Sequence, residues 1–282
     1  MTDTDYVLTH AGVKVPAIVY GTAWKGEATA QWVQLALSRG FRGIDTACQP
    51  KHYHQPGVGK GISAGVNGLR REDLYVQTKF TSLSGQDPAR IPYDAKAPLA
   101  QQIEQSFAAS QTELHTDYID ALILHSPMPS AAQTLEAWRT METLVDGGGV
   151  RQLGISNCYE LSTLRTLYEA ARIKPAIVQN RFYADSGYDI ALRRFCRERG
   201  VIYQSFWTLT ANPKLLAHKT VKSLAEHYRR TPAQVLFRYL TQEGVVPLTG
   251  TRNAAHMDED LAIFGFALEV DERARIDALL VA

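Results

Sequence analysis

An alternation repeated eight times constrains this chain more than any single motif. Short apolar runs at 17–20, 41–45, 74–78, 118–124, 150–155, 176–178, 201–206 and 245–247 are each followed by a helix-like segment. Helical spacing is plain at 27–39 (Trp32, Leu35, Ala36), at 99–115 (Leu99, Ile103, Phe107, Leu114), at 131–145 and at 161–171. Further helices are expected at 189–199, 221–227, 232–241, 254–263 and 271–280, and a weak, Gly-interrupted one at 58–64. Parallel strands need crossovers of roughly a dozen residues, so strand–helix repetition predicts a parallel sheet. Eight units in 282 residues predict an α/β fold, a (β/α)8 TIM barrel, as a single domain over 1–282. Residues 7–15 alternate around Ala11-Gly12 and predict an N-terminal β-hairpin. An open doubly wound sheet would call for G-x-G-x-x-G after its first strand. The turn reads Gly21-Thr22-Ala23-Trp24-Lys25-Gly26 instead, and no Walker A motif is present.

In such a barrel the carboxyl ends of all strands converge on one mouth. The residues at those ends are Gly21-Thr22, Asp45, Lys79, His125, Ser156-Asn157, Gln179-Asn180, Phe206-Trp207 and Thr249. Asp, Lys and His at three successive strand ends are poor packing material and good chemistry. Asp45 is followed by a loop that carries a phenol, Tyr53. A long irregular stretch at 80–98, with Gly85, Pro88, Pro92 and Pro98, is the candidate wall of a pocket.

Charge excludes some functions. With 30 basic and 29 acidic residues the net charge is +1, which gives no basis for binding nucleic acid or an anionic membrane. No run approaches the roughly 18 apolar residues of a membrane span. Cys48, Cys158 and Cys196 form neither a disulfide framework nor a zinc spacing, so no metal site is expected and a reducing compartment fits. Residues 1–5 are acidic and lack the apolar core of a leader peptide. These features predict a cytoplasmic protein, a monomer or weak oligomer.

The motifs together resemble the aldo-keto reductase superfamily. Gly40 to Ala47 (GFRGIDTA) is similar to the family's second-strand signature. Leu74-Tyr75-Val76-Gln77-Thr78-Lys79 resembles the segment bearing the family's lysine, and Leu124-His125-Ser126-Pro127 the one bearing its histidine. Gly154-Ile155-Ser156-Asn157 resembles the nicotinamide-amide site. The resemblance implies NAD(P)H-dependent reduction of a small-molecule aldehyde or ketone, with Asp45, Tyr53, Lys79 and His125 as catalytic tetrad. Tyr53 would donate the proton, Lys79 would ease it off the phenol, Asp45 would balance Lys79, and His125 would orient the carbonyl. Gly21, Thr22 and Asp45 would border the cofactor. Ser156, Asn157 and Gln179 would hold its carboxamide, with Phe206 stacking on the nicotinamide. Trp207, Thr208 and Leu209 would continue the groove, and Trp24, Tyr53, Tyr93, His125 and Met128 would line the substrate pocket.

Three features depart from that family. Its acid and tyrosine are commonly five positions apart, whereas Tyr53 is eight beyond Asp45. Its usual Lys-Ser pair after the last strand reads Leu248-Thr249 here. Thr249, Gly250, Thr251 and Arg252, with His256, Glu259 and Asp260 beyond, are the candidate binders of the cofactor's adenosine half, and Arg252 favours NADPH over NADH. The chain also has a short C-terminal tail, which leaves the pocket wall to other loops. The runs at 49–53 and 204–209 resemble a fungal branch. A cofactor-binding regulatory or scaffold barrel, and a non-redox lyase or isomerase, are the alternatives.

Overall fold

The computed structural model describes residues 5–281; residues 1–4, on which most of the expectation about a leader peptide rests, and residue 282 lie outside them. A hairpin of β1 (Tyr6–Leu8) and β2 (Lys14–Pro16) comes first, paired antiparallel with Val7 opposite Val15. Eight strands follow: β3 (Val19–Gly21), β4 (Gly43–Asp45), β5 (Tyr75–Phe80), β6 (Ala121–Leu124), β7 (Leu153–Ser156), β8 (Ile177–Arg181), β9 (Ile202–Phe206) and β10 (Val245–Thr249). All are parallel, and they close into a barrel in chain order, with β10 against β3.

The helices are α1 (Thr29–Arg39), α2 (Gln55–Ser63), α3 (Leu99–Leu114), α4 (Ala131–Asp146), α5 (Leu161–Ala170), α6 (Ile190–Glu198), α7 (Pro213–Ala217), α8 (Lys219–Tyr228), α9 (Pro232–Gln242), α10 (Ala254–Leu261) and α11 (Val270–Leu280). Local chemistry sets their ends. Gly40 closes α1 at φ 117°, where a side chain would be strained. The Ser130 hydroxyl caps α4 by accepting from Gln133 N, and Thr231 with Gln234 forms a capping box on α9. Among the described residues no helix is long and apolar enough to cross a membrane.

The strands differ from the sequence reading mainly at their ends. Apolar residues such as Phe41 and Val150 precede their strands as buried lead-ins. At the other end, β5, β8 and β10 run two or three residues further than the apolar run. Lys79 stays in register with Ile123, and Arg181 with Phe206. A polar residue ends a strand that enters water, but not one that lines a barrel mouth.

Side chains alternate along each strand. Ile44, Val76, Leu122, Ile155 and Val178 join the large outer core with Phe107, Trp138 and Leu236 of the helices. Val19, Tyr75, Ile123, Ile177, Ile202 and Val246 fill the lower barrel, and Val15 with Val7 of the hairpin packs against them as a floor.

Candidate active site

Above that apolar floor the barrel turns polar. Asp45 ends β4 and Lys79 stands on the neighbouring β5, and both side chains are buried. Lys79 Nζ donates to Asp45 Oδ1 at 2.6 Å, to Oδ2 at 2.7 Å and to the Thr46 carbonyl at 2.9 Å. All three ammonium protons are thus committed. Burial pulls the Lys79 pKa below its ordinary value, and Asp45 opposes that shift.

Two glutamines brace the carboxylate. Gln77 Nε2 donates to Asp45 Oδ1 at 2.6 Å and Gln179 Nε2 at 3.0 Å. Gln204 Oε1 accepts from the same two amides at 2.8 and 2.9 Å. An ionised carboxylate only accepts, so it fixes both amides with nitrogen toward Asp45. Gln179 Oε1 is left without a partner among the described residues. Sequence reasoning missed Gln77 and Gln204. The signal was a mid-strand glutamine two residues after an inward-facing Tyr75 or Ile202.

Tyr53 reaches this centre despite its longer loop. Gln49 O accepts from both His52 N and Tyr53 N, which folds the extra residues into a turn. Lys79 Nζ lies 5.0 Å from the centre of the Tyr53 ring, and the Tyr53 and His125 rings meet edge-on at 6.1 Å. The flanking histidines diverge from it. The His52 ring stacks on Trp24 at 3.9 Å, and His54 faces Glu27 at 3.7 Å. Burial first, then the Asp45 charge, pushes the Tyr53 phenol well above its ordinary pKa. That shift runs opposite to the expectation of a phenol loosened by Lys79: burial dominates, and the Asp45 charge adds to it. Burial, Lys79 and His52 drive His125 well below its ordinary value, so its imidazole is neutral. Thr81 Oγ1 lies 2.6 Å from His125 Nδ1, which leaves Nε2 for a ligand.

A cavity of about 790 Å³ opens over these residues, within the range of small-molecule sites. Most candidate site residues line it: Gly21, Asp45, Ser156, Asn157, Gln179, Phe206, Trp207, Thr208, Leu209, Thr249, Gly250, Thr251, Arg252 and His256, with Trp24, Tyr53 and His125. Others are placed elsewhere. Thr22 is buried, its hydroxyl donating to Asp45 O at 2.8 Å. Asp260 is buried behind Thr249, whose hydroxyl donates to it at 2.7 Å, and burial raises its pKa to about 7. Glu259 does not border the cavity either.

Of the proposed pocket wall, Tyr93 packs on Phe80 and donates to Thr81 O, so it supports the loop from below. Met128 lines a separate, smaller cavity of about 230 Å³. The loop after β5 contributes only Thr81 and Gly85 to the main lining. Two of its polar groups hold the Tyr53 loop: Gln86 Nε2 donates to Cys48 O at 3.0 Å, and Gly85 O accepts from Gln49 Nε2 at 2.7 Å.

The sequence reading also missed Lys25, His52 and Arg181, which line the cavity. Lys25 Nζ donates to Gly250 O at 2.9 Å and lies 4.9 Å from the centre of the Tyr20 ring. Trp24, Asn157 and Trp207 hold positive φ angles of 62°, 51° and 55° at this mouth. Such conformations are unfavourable for bulky residues and tend to persist at functional sites.

The chain matches the Aldo/keto reductase family over residues 17–215 and 193–281. It is similar to the uncharacterized oxidoreductase YtbE of Bacillus subtilis (30% identical, covering 96% of this chain and 91% of that protein). It is similar also to the glyoxal reductase of the same organism (29% identical, 98% and 92% covered). Among solved structures, an aldo/keto reductase from Brucella melitensis superposes with a TM-score of 0.82 (27% identical, 97% and 98% covered). None of these assigns the chain to a fungal branch.

Proposed function

The chain belongs to the aldo/keto reductase family, oxidoreductases that use nicotinamide cofactors, and from that premise we propose that it is an NADPH-dependent reductase of small aldehydes or ketones. The observation that carries this reading is the convergence of Tyr53, His125 and the Lys79–Asp45 pair under one cavity.

The residues fit a nicotinamide dinucleotide. Gln179 Oε1 is an unmatched acceptor suited to a carboxamide N–H, and Asn157 and Ser156 stand beside it. Phe206 offers a ring face for stacking. Lys25 and Arg252 give the far end of the groove two cations, as a diphosphate and a 2′-phosphate would require. A bound nicotinamide would supply the hydride.

The chain's own residues perform the rest. Neutral His125 donates from Nε2 to the carbonyl oxygen when the Thr81 hydroxyl donates to Nδ1. Tyr53 stays protonated because its pKa is raised. An alkoxide is a far stronger base than a phenolate, so the phenol still delivers its proton downhill once that charge develops. The Lys79 ammonium then faces the new phenolate from 5.0 Å off the ring centre.

Tyr53→Phe tests the assignment, with turnover on a panel of aldehydes and ketones measured using NADPH and NADH. Carbonyl reduction should fall by at least a thousandfold, roughly the upper range of a general acid's contribution. NADPH affinity should change less than about threefold, since the lost hydroxyl is not assigned to the cofactor. Retained turnover would remove Tyr53 from its role.

A further inference from the structure

Arg181, at the end of β8, is a cation that the reaction above does not use. Along this strand Ile177 belongs to the barrel floor and Gln179 contacts Asp45, so alternation directs Arg181 to the mouth one repeat higher. It lines the main cavity. Its guanidinium carbon lies 4.4 Å from the centre of the Trp207 ring and 5.2 Å from that of Tyr183. Two aromatic faces suit a planar, weakly hydrated cation and limit its motion.

No carboxylate answers this charge. Among the described residues Arg181 forms no ion pair, and its Nε is buried without a hydrogen-bond partner. Asp45 is the lone carboxylate of the lining, and Lys79 holds it. A buried donor left unmatched is unfavourable unless a ligand brings the acceptor. The position is also close to the reacting centre. Arg181 N donates to the Tyr159 hydroxyl at 3.2 Å, and that hydroxyl donates to Asn157 Oδ1 at 3.4 Å.

We propose that Arg181, gripped by Trp207 and Tyr183, is an anion subsite of the mouth that takes a carboxylate or phosphate through paired N–H donors. The anion has two possible sources, an acidic group on the carbonyl substrate or a phosphate of the cofactor. The source depends on the reductase reading, whereas the subsite itself does not.

Calorimetric titration of the whole protein with benzoate, inorganic pyrophosphate and NADPH, in wild type and in Arg181→Met, measures the site without turnover. KM for 4-carboxybenzaldehyde against benzaldehyde adds the substrate arm. If the substrate supplies the anion, Arg181→Met weakens benzoate about tenfold or more, and raises KM for the acid relative to benzaldehyde by a similar factor. If the cofactor supplies it, pyrophosphate and NADPH weaken instead. Arg181→Lys should recover part of either loss, keeping the charge without the fork. Unchanged affinity for all three ligands in a folded Arg181→Met overturns the proposal. Failure of the wild type to reduce benzaldehyde or any other carbonyl counts against the reductase reading, and the titrations still decide the subsite.

Discussion

Individual side chains set the electrostatics of the mouth, and Lys25 shows how. Burial, reinforced by the nearby Arg252, lowers its pKa to about 8. In the free protein it is therefore charged at pH 7 and largely neutral at pH 9.5. A bound phosphate favours the ammonium and raises that value, so the proton is held more tightly in the complex. The sign follows: as pH climbs above about 8, binding must first recruit a proton, and the cofactor dissociation constant rises by up to tenfold per pH unit. We expect NADPH affinity, followed by fluorescence titration, to be flat below pH 7.5 and to weaken steadily toward pH 9.5. Lys25→Met should bind about tenfold more weakly at pH 7 and lose most of that slope. An unaltered slope in the variant would place the titration elsewhere.

Among the elements, α2 departs furthest from its intrinsic preference, with Gly57, Gly59 and Gly61 inside nine residues. Its neighbours explain the glycines. A Cβ on Gly61 would come within 2.7 Å of Val33 on α1, and one on Gly59 within 2.0 Å of the Glu113 carbonyl on α3. In an open helix Gly59→Ala would gain about 1 kcal/mol from propensity. Here the clash is with backbone, which cannot rotate away, and overpacking costs about 2–3 kcal/mol. The clash wins, and urea unfolding should show Gly59→Ala destabilised by about 1–2 kcal/mol net. Turnover should fall as well, because α2 begins two residues after Tyr53, and Gln55 ties it to Thr78 of β5 at 2.5 Å. This element also marks how far the sequence could be read. Strand–helix order was legible because it depends on periodicity within each segment, and Asp45, Lys79 and His125 because they lie at or next to the carboxyl ends of strands. The start of α2, the turn that delivers Tyr53 and the bonds that tie 85–86 to that turn depend on contacts between distant loops. The short helix Pro213–Ala217, with one buried leucine, carries too little pattern to be seen.

Across the whole molecule a line of hydrogen bonds runs up the barrel interior from floor to mouth. Thr9, in the hairpin turn, donates to Gln152 Oε1 at 2.8 Å. Gln152 Nε2 donates to the Tyr75 hydroxyl at 3.5 Å, Tyr75 donates to Gln77 Oε1 at 2.8 Å, and Gln77 reaches Asp45. Barrel interiors are more often filled by layers of branched apolar residues, so this polar seam is a specific feature of the chain. Its links are unequal. The Tyr75–Gln152 contact is at the limit of hydrogen bonding and transmits little, whereas the bonds on either side are short. The floor and the mouth should therefore behave as separate units. Thr9→Val strips the donor from a buried amide oxygen, which costs about 1–3 kcal/mol. The urea midpoint should drop with an unchanged slope, since the surface exposed on unfolding is nearly the same. Turnover under conditions where the variant remains folded should stay within about twofold of wild type, because Asp45 keeps its bonds from Lys79, Gln77 and Gln179. A loss of turnover in step with stability would mean instead that the hairpin holds the acid in place through the seam.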